Sequence, residues 1–453
     1  MRPRPLSMLA AALGGELRGP DAVASSVVVD SRLATPGSLF FALRGAHADG
    51  HDFVDDALDR GAVGAVVAHA VTAGSLVVVP DPGAALLELA GIERSEMDST
   101  TVLGVTGANG KTSTKDFAAS ILETRFRTHA SPASFNNEIG LPLTILGAPA
   151  DTEVLVAEMG ARHPGDVALL CGVARPHAVV VTNVGVAHME VFGSWEAIVE
   201  ASAEPVDALA DSGVAILSAD DPVVRAYGAR TRAKVLTFGL DGTADVRAQD
   251  LRLDESGRAS FELVAGVERA RVELEVPGEH MVQNALAASA CGIALGVSVE
   301  ECATALKAAR VSRWRMETFT TSDGVVVVND AYNANPDSMA AGLRAARWMA
   351  RTGRLAAVLG HMAELGPIAL EEHERLGELV VRIGVDRLVT VGEQAAVIAR
   401  AAVREGALPE DVAAYDSADD AARDVRSWAR PGDVVLVKGS RIAGLERVAE
   451  ALR

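Results

Sequence analysis

The chain is predicted to be an α/β protein of three domains, spanning residues 1–98, 99–312 and 313–453, with mostly parallel sheets. Its 453 residues, at about 150 per domain, suggest three units. Short β-branched runs alternate with alanine-rich helical stretches: Ser26–Val29, Ser75–Val79, Thr101–Val105, Glu153–Ala157, Ala178–Val181 and Asp433–Val437. Continuous apolar strands between helices belong to parallel sheets covered on both faces. A glycine-rich turn between strand and helix, at 106–112, marks the second unit as one that binds phosphate.

Taken in order, the segment Met1–Leu13 has a basic flank and a short apolar run, which faintly imitates a signal peptide. Pro5 and the polar continuation Gly14–Arg18 favour a first surface helix ending at glycine, in a cytoplasmic protein. The polar stretch Ile92–Ser99 reads as a linker before the strand at Thr101. A helix follows the glycine-rich turn to about Leu122. Between Ala244 and Val276 polar and apolar residues alternate without a helical period, which predicts a small antiparallel meander. A second boundary falls near Arg310–Ser312, before a strand around Arg315–Thr320.

Composition narrows the function. A hydrophobic content of 49% excludes general disorder, and 4% aromatics leave Ala, Val and Leu to build the cores. The net charge of −19 argues against gripping a nucleic-acid backbone. No uninterrupted run of 18 apolar residues is present to span a membrane. Cys171, Cys291 and Cys302 lack the spacing of a disulfide framework or zinc ribbon and read as small buried hydrophobes in a reducing compartment. Only five lysines occur, at 111, 115, 234, 307 and 438, so each is informative.

Two of them lie at the turn Thr106-Gly-Ala-Asn-Gly-Lys-Thr112 or just after it. The strict pattern with glycine five residues before Gly110 fails, because Val105 stands there; the shorter variant fits. Backbone N–H groups of Thr106, Gly107, Ala108, Asn109, Gly110 and Ser113 would surround an anion at a helix N-terminus. Lys111 would reach the β- and γ-phosphates, and Thr112 would offer its hydroxyl to magnesium. Glu158 follows the run Glu153–Ala157, where a carboxylate is well placed to hold that cation. His188 follows the next strand; alone it reads as structural as readily as a ligand.

Taken together the motifs resemble the Mur ligases, ATP-dependent amide-forming enzymes of peptidoglycan synthesis. The matching segments are Val29–Arg32, Phe40–Leu43, Asp49–Phe53, the loop itself, Phe135–Gly140, Glu158–Gly160, Asn183–His188, Pro277–His280, Gln283–Ala285, Arg313–Glu317, Asn329–Pro336, Leu359–Gly366 and Lys438–Arg441. The resemblance implies a UDP-binding first domain, a central P-loop ATPase domain and a C-terminal Rossmann-like domain that admits the incoming amine. It implies ATP and Mg²⁺, with UDP-N-acetylmuramoyl-tripeptide and D-alanyl-D-alanine as substrates of a monomer. By position, Lys111, Thr112 and Glu158 serve phosphate and magnesium, and His188 a second metal ion; Lys111, His188 and Arg315 are the catalytic candidates. Asn284 corresponds to the adenine side. Arg315 and Asp330, with Asn333 and Asn335 in the same segment, correspond to residues meeting the nucleotide after closure. Asp30, Ser31, Arg32, Asp49 and His51 would face the UDP-sugar, and Asn137 and Arg162 the sugar-peptide. Each of the last two has a plainer reading, as a turn cap and a solvated surface cation.

One position departs from the family. Most such ligases carry a lysine, modified to a carbamate that binds the second magnesium, where this chain has Ser202, and no lysine occurs between 116 and 233. Either the second metal is weaker, or His188, substrate oxygens and waters hold it, with Glu200 or Glu204 contributing directly or through a water. The rival readings are the ligase adding the third stem residue, a folylpolyglutamate synthase, and a non-catalytic binding protein or biosynthetic ligase relative that lost the cell-wall role. The first lacks an Asn-Pro-Arg type motif here, and the second does not account for the first domain. Lys111, Glu158, His188 and Arg315 oppose the third.

Overall fold

The computed structural model describes residues 1–45, 48–71, 74–186 and 188–453. Among these residues, three main sheets are built from successive stretches of chain. The first orders its strands Glu16–Arg18, Leu76–Val78, Gly64–Val67, Ser38–Phe41 and Ser26–Val28, parallel except at the Glu16–Arg18 edge. The predicted first helix spans Leu6–Ala12 and buries Leu6, Leu9 and Ala10 against this sheet's core.

The second sheet has nine strands and carries Thr101–Thr106 between Val154–Glu158 and Ala178–Val181, parallel to both. The apolar runs are continuous because both faces are covered. Successive side chains alternate between faces: Val154 and Val156 pack with Phe117 and Ile121, whereas Leu155 and Ala157 pack with Leu141, Ile145 and Leu170. Truncating the fully buried Phe117 to Ala would cost about 3–5 kcal/mol.

The alternating stretch does form an antiparallel trio, Val246–Leu253, Arg258–Ala265 and Glu268–Pro277. It is the outer edge of the nine-stranded sheet, joined in parallel to Lys234–Gly239. The third sheet orders Glu317–Thr320, Val326–Asp330, Val434–Lys438, Leu355–Leu359, Arg387–Val391 and Val412–Tyr415, antiparallel only at its first pair.

The linker expectation at Ile92–Ser99 is corrected: a helix spans Pro82–Ser95 through half of it. Polarity misled there because it is buried. Glu93 (5% exposed) pairs with Arg4 at 3.1 Å, and Arg94 (7% exposed) donates to the carbonyls of Ala174 at 2.8 Å and Met97 at 2.9 Å. At the second boundary, the backbone N–H and hydroxyl of Ser312 both donate to Asp116 Oδ2, at 2.7 and 2.8 Å. No helix among the described residues is long and apolar enough to cross a membrane. All three cysteines are buried and free.

Candidate active site

Strand order sets the site. Thr101–Thr106 runs into the turn and then the helix Lys111–Leu122, while Glu158 and the Asn183–His188 segment leave the carboxyl ends of the two flanking strands. Ligands of open parallel sheets bind at that edge. Two glycines are required there. Gly107 has φ 131° and a Cβ on it would lie 2.1 Å from Thr182 Oγ1; Gly110 has φ 79° and a Cβ would lie 2.1 Å from Asn284 Oδ1. The turn is braced from the neighbouring strand: Asn183 Oδ1 accepts from the Asn109 N–H at 2.8 Å, and Thr182 Oγ1 donates to the Asn109 carbonyl at 2.6 Å.

Lys111 Nζ donates to the carbonyls of Gly107 at 2.7 Å and Ala108 at 3.4 Å. Burial holds its pKa below the usual lysine value; Glu158 opposes that shift and Arg315 adds to it. Thr112 is buried and its hydroxyl accepts from Arg315 Nη2 at 2.7 Å. Glu158 is 0% exposed. Its Oε1 accepts from Asn136 Nδ2 at 2.9 Å, while Oε2 is buried with no hydrogen-bond partner. A buried carboxyl oxygen left without a partner fits a hard cation in that place. Asn136 escaped the sequence reading, which chose its neighbour; Asn137 Oδ1 instead caps Gly140 N at 2.9 Å, the plainer of its two readings.

Besides Arg315, the third unit reaches the loop through Asn335 and the neighbouring Asn183–His188 segment through Asp337. Asn335 caps the helix Pro336–Met349 and donates from Nδ2 to Asn109 Oδ1 at 2.7 Å. Asp337, in the first turn of that helix, lies beside Gly185, and burial raises its carboxyl pKa. His188, in left-handed backbone at φ 61°, pairs with Glu364 of the third unit, which lies in the family-like segment Leu359–Gly366 but is not among the expected site residues. Burial lowers the His188 pKa, with Glu364 opposing. Asp330 accepts from Lys438 Nζ at 2.6 Å and from the Met316 N–H at 3.1 Å. Lys438 also donates to the Asn333 carbonyl at 3.0 Å, so Asn333 joins this cluster through its backbone. Arg162 is exposed, near enough to His188 to lower its pKa further.

The helix Trp195–Asp207 corrects the expectation for the acidic substitutes. Glu200 is ion-paired with Arg230 at 2.6 Å, and Glu204 accepts from the N–H groups of Gly165 at 2.6 Å and Ala168 at 2.9 Å. Both carboxylates serve contacts elsewhere. Among the described residues no cluster of three or more His, Cys, Asp or Glu side chains is grouped as for a metal ion.

The remaining candidates lie in the first unit, in a separate group. Asp30 pairs with Arg32 at 2.6 Å and caps the short helix Ser31–Leu33, whose Ser31 is buried. Asp49 Oδ1 accepts from the backbone N–H of His51 at 3.0 Å and contacts its Nδ1 at 2.6 Å, and its pKa falls to about 2 through those bonds. His51 Nε2 accepts from the Ala68 N–H at 2.9 Å, which leaves the ring proton on Nδ1. His69 stacks on that ring at 4.6 Å.

Three family descriptions match along the chain: the Mur ligase family catalytic domain over residues 23–89, the Mur ligase middle domain over 105–292, and the Mur ligase glutamate ligase domain over 314–441. A UDP-N-acetylmuramoyl-tripeptide–D-alanyl-D-alanine ligase of Mycobacterium bovis is 45% identical, across 95% of this chain and 92% of its own. The crystal structure of MurF from Acinetobacter baumannii superposes with a TM-score of 0.87 at 29% identity, covering 100% of this chain and 99% of that one. MurF of Thermotoga maritima in complex with ADP superposes at 0.81 with 31% identity, over 95% and 97%. The phosphate loop, the sheet order and these end-to-end matches agree: the chain belongs to the Mur ligase family.

Proposed function

We propose that the chain is an ATP-dependent ligase that joins D-alanyl-D-alanine to UDP-N-acetylmuramoyl-tripeptide, completing the pentapeptide precursor of peptidoglycan in the cytoplasm. The reading takes the protein as a monomer with units divided at 98/99 and 312/313. The observation that carries it is the convergence of Lys111, Thr112 and Glu158 of the central unit with Arg315 of the third, joined by the bond from Arg315 to Thr112. The relatives named for this reaction, and the ADP held by the Thermotoga maritima neighbour, support the same assignment.

A peptide carboxylate is a poor electrophile, so an oxygen of the tripeptide carboxylate attacks the γ-phosphorus and ADP leaves, giving an acyl phosphate. The dipeptide amine then attacks the acyl carbon, phosphate departs, and the amine proton passes to solvent or base. Lys111 and Arg315 lower the cost of bringing two anions together. Glu158 Oε2 and the Thr112 hydroxyl would hold one magnesium and His188 a second, which supply further charge neutralisation when bound. Contacts of Arg315 and Asn335 with the loop would exclude water from the acyl phosphate.

The test is ADP release with each substrate omitted in turn. Release that requires both the UDP-sugar tripeptide and D-alanyl-D-alanine supports the reading. Equal release without the dipeptide marks a hydrolase and rejects it.

A further inference from the structure

Arg315 stands in a turn whose backbone is unusual on both sides: Trp314 has φ 61° and Met316 φ 53°. Neither is glycine, so this left-handed conformation persists only where the surroundings impose it. One short segment, Lys438–Arg441, grips the turn at both flanks. Arg441 lays its guanidinium over the Trp314 ring at 4.5 Å. Lys438 works through Asp330, its register partner at the ends of adjacent parallel strands. Nζ donates to Asp330 Oδ2 at 2.6 Å, and Asp330 Oδ1 accepts from the Met316 N–H at 3.1 Å.

The lysine is 2% exposed, and its stem crosses the helix Pro336–Met349 at Gly342, where a Cβ would lie 3.1 Å from Lys438 Cδ. Beyond the turn, the Arg315 guanidinium sits 4.2 Å over Tyr332 and bonds Thr112. A cation serving only to neutralise Asp330 needs no such seat, and the carboxylate it fixes has its other oxygen on the turn itself.

We propose that Lys438 is a positioning residue: through Asp330 it holds the Trp314–Met316 turn that aims Arg315 at the phosphate loop. The inference rests on the nucleotide reading of that loop and gives the lysine no contact with substrate.

The experiment measures affinities for ATP and for ADP on the full chain, for wild type, Lys438→Met, Arg315→Ala and the double variant, with thermal unfolding alongside. Removing Arg315 is expected to lower the preference for ATP over ADP about tenfold, as for loss of a charge-assisted phosphate contact. Lys438→Met reproduces most of that loss and adds less than about twofold in the Arg315→Ala background, as residues acting in series do. Gly342→Ala presses on the lysine stem without removing charge and gives a partial loss of the same preference; it decides the matter if Lys438→Met does not fold. Unchanged ATP preference in the folded variants overturns the role, as does a full additional loss on top of Arg315→Ala. A wild type that binds no ATP overturns it together with the loop reading. Amide formation is read separately: nucleotide binding without amide product rejects the ligase reading, while the ATP-to-ADP comparison still decides the role of Lys438.

Discussion

His188 and Glu364 face one another across the junction of the central and third units, each from a left-handed backbone position, φ 61° and 62°, with ring nitrogen against carboxylate. The contact is continued by the backbone: the Glu190 N–H donates to the Glu364 carbonyl at 3.2 Å, and a Cβ on Gly366 would fall 2.7 Å from Glu190 Cα. The pair ties the segment that follows the strand Ala178–Val181 to the third unit. Both side chains are partly exposed, so its worth is about 1 kcal/mol or less. Glu364→Gln should therefore slow turnover no more than about fivefold and leave the unfolding temperature unchanged. Steady-state rates and thermal unfolding check this; a variant that unfolds early would place the pair among the groups holding the fold.

Lys111→Ala should cost about 10²–10³ in turnover with the fold intact. Its ammonium bonds only carbonyls of its own turn, at 2.7 and 3.4 Å. Circular dichroism with single-turnover kinetics checks both parts, and retained turnover would show that the loop has been misassigned.

Ser202 forms no carbamate, and of the two lysines that flank it in sequence, Lys115 is buried on the carbonyls of Ser131 and Ala133 and Lys234 is exposed at the start of the strand Lys234–Gly239. Activity should be indifferent to bicarbonate across a magnesium titration in carbon-dioxide-depleted buffer. With Glu200 and Glu204 engaged by Arg230 and by Gly165 and Ala168, it should also need more magnesium than a lysine-bearing relative. Clear activation by bicarbonate would contradict this.

Stability should fall on mild acidification. Burial lowers the pKa of His129, His177, His280, His361 and His373 in the folded chain. The unfolded chain then binds more protons below about pH 6.5. The stabilisation is present in full above that value and is lost as pH drops through the folded pKa values. Unfolding midpoints between pH 8 and 5 should be flat at first and then decline; a midpoint that rises on acidification would contradict it.

Much of the fold was legible because its signals are local. Thr101–Thr106 and Ala178–Val181 announce themselves as apolar β-branched runs, and Gly110-Lys-Thr112 as a turn into a helix. The pairings that assemble the site join residues some 200 positions apart, Arg315 with Thr112 and Asn335 with Asn109, and no period or spacing encodes them. Polar residues misled where burial reversed their meaning. Glu93 and Arg94 read as linker but fill a helix against the central unit, and Glu204 read as a ligand but caps a helix. Asn136 and Asn137 are equivalent by type, and only the direction of the strand end puts the first on Glu158.

An acyl phosphate carries an oxygen of the tripeptide carboxylate into the released phosphate, and that oxygen can be followed. UDP-N-acetylmuramoyl-tripeptide labelled with ¹⁸O in its reacting carboxylate is turned over with ATP and D-alanyl-D-alanine, and the released phosphate is weighed by mass spectrometry. One ¹⁸O atom is expected in each phosphate, because the bridging oxygen leaves with phosphorus when the amine attacks. Unlabelled phosphate accompanying amide product would contradict the acyl phosphate.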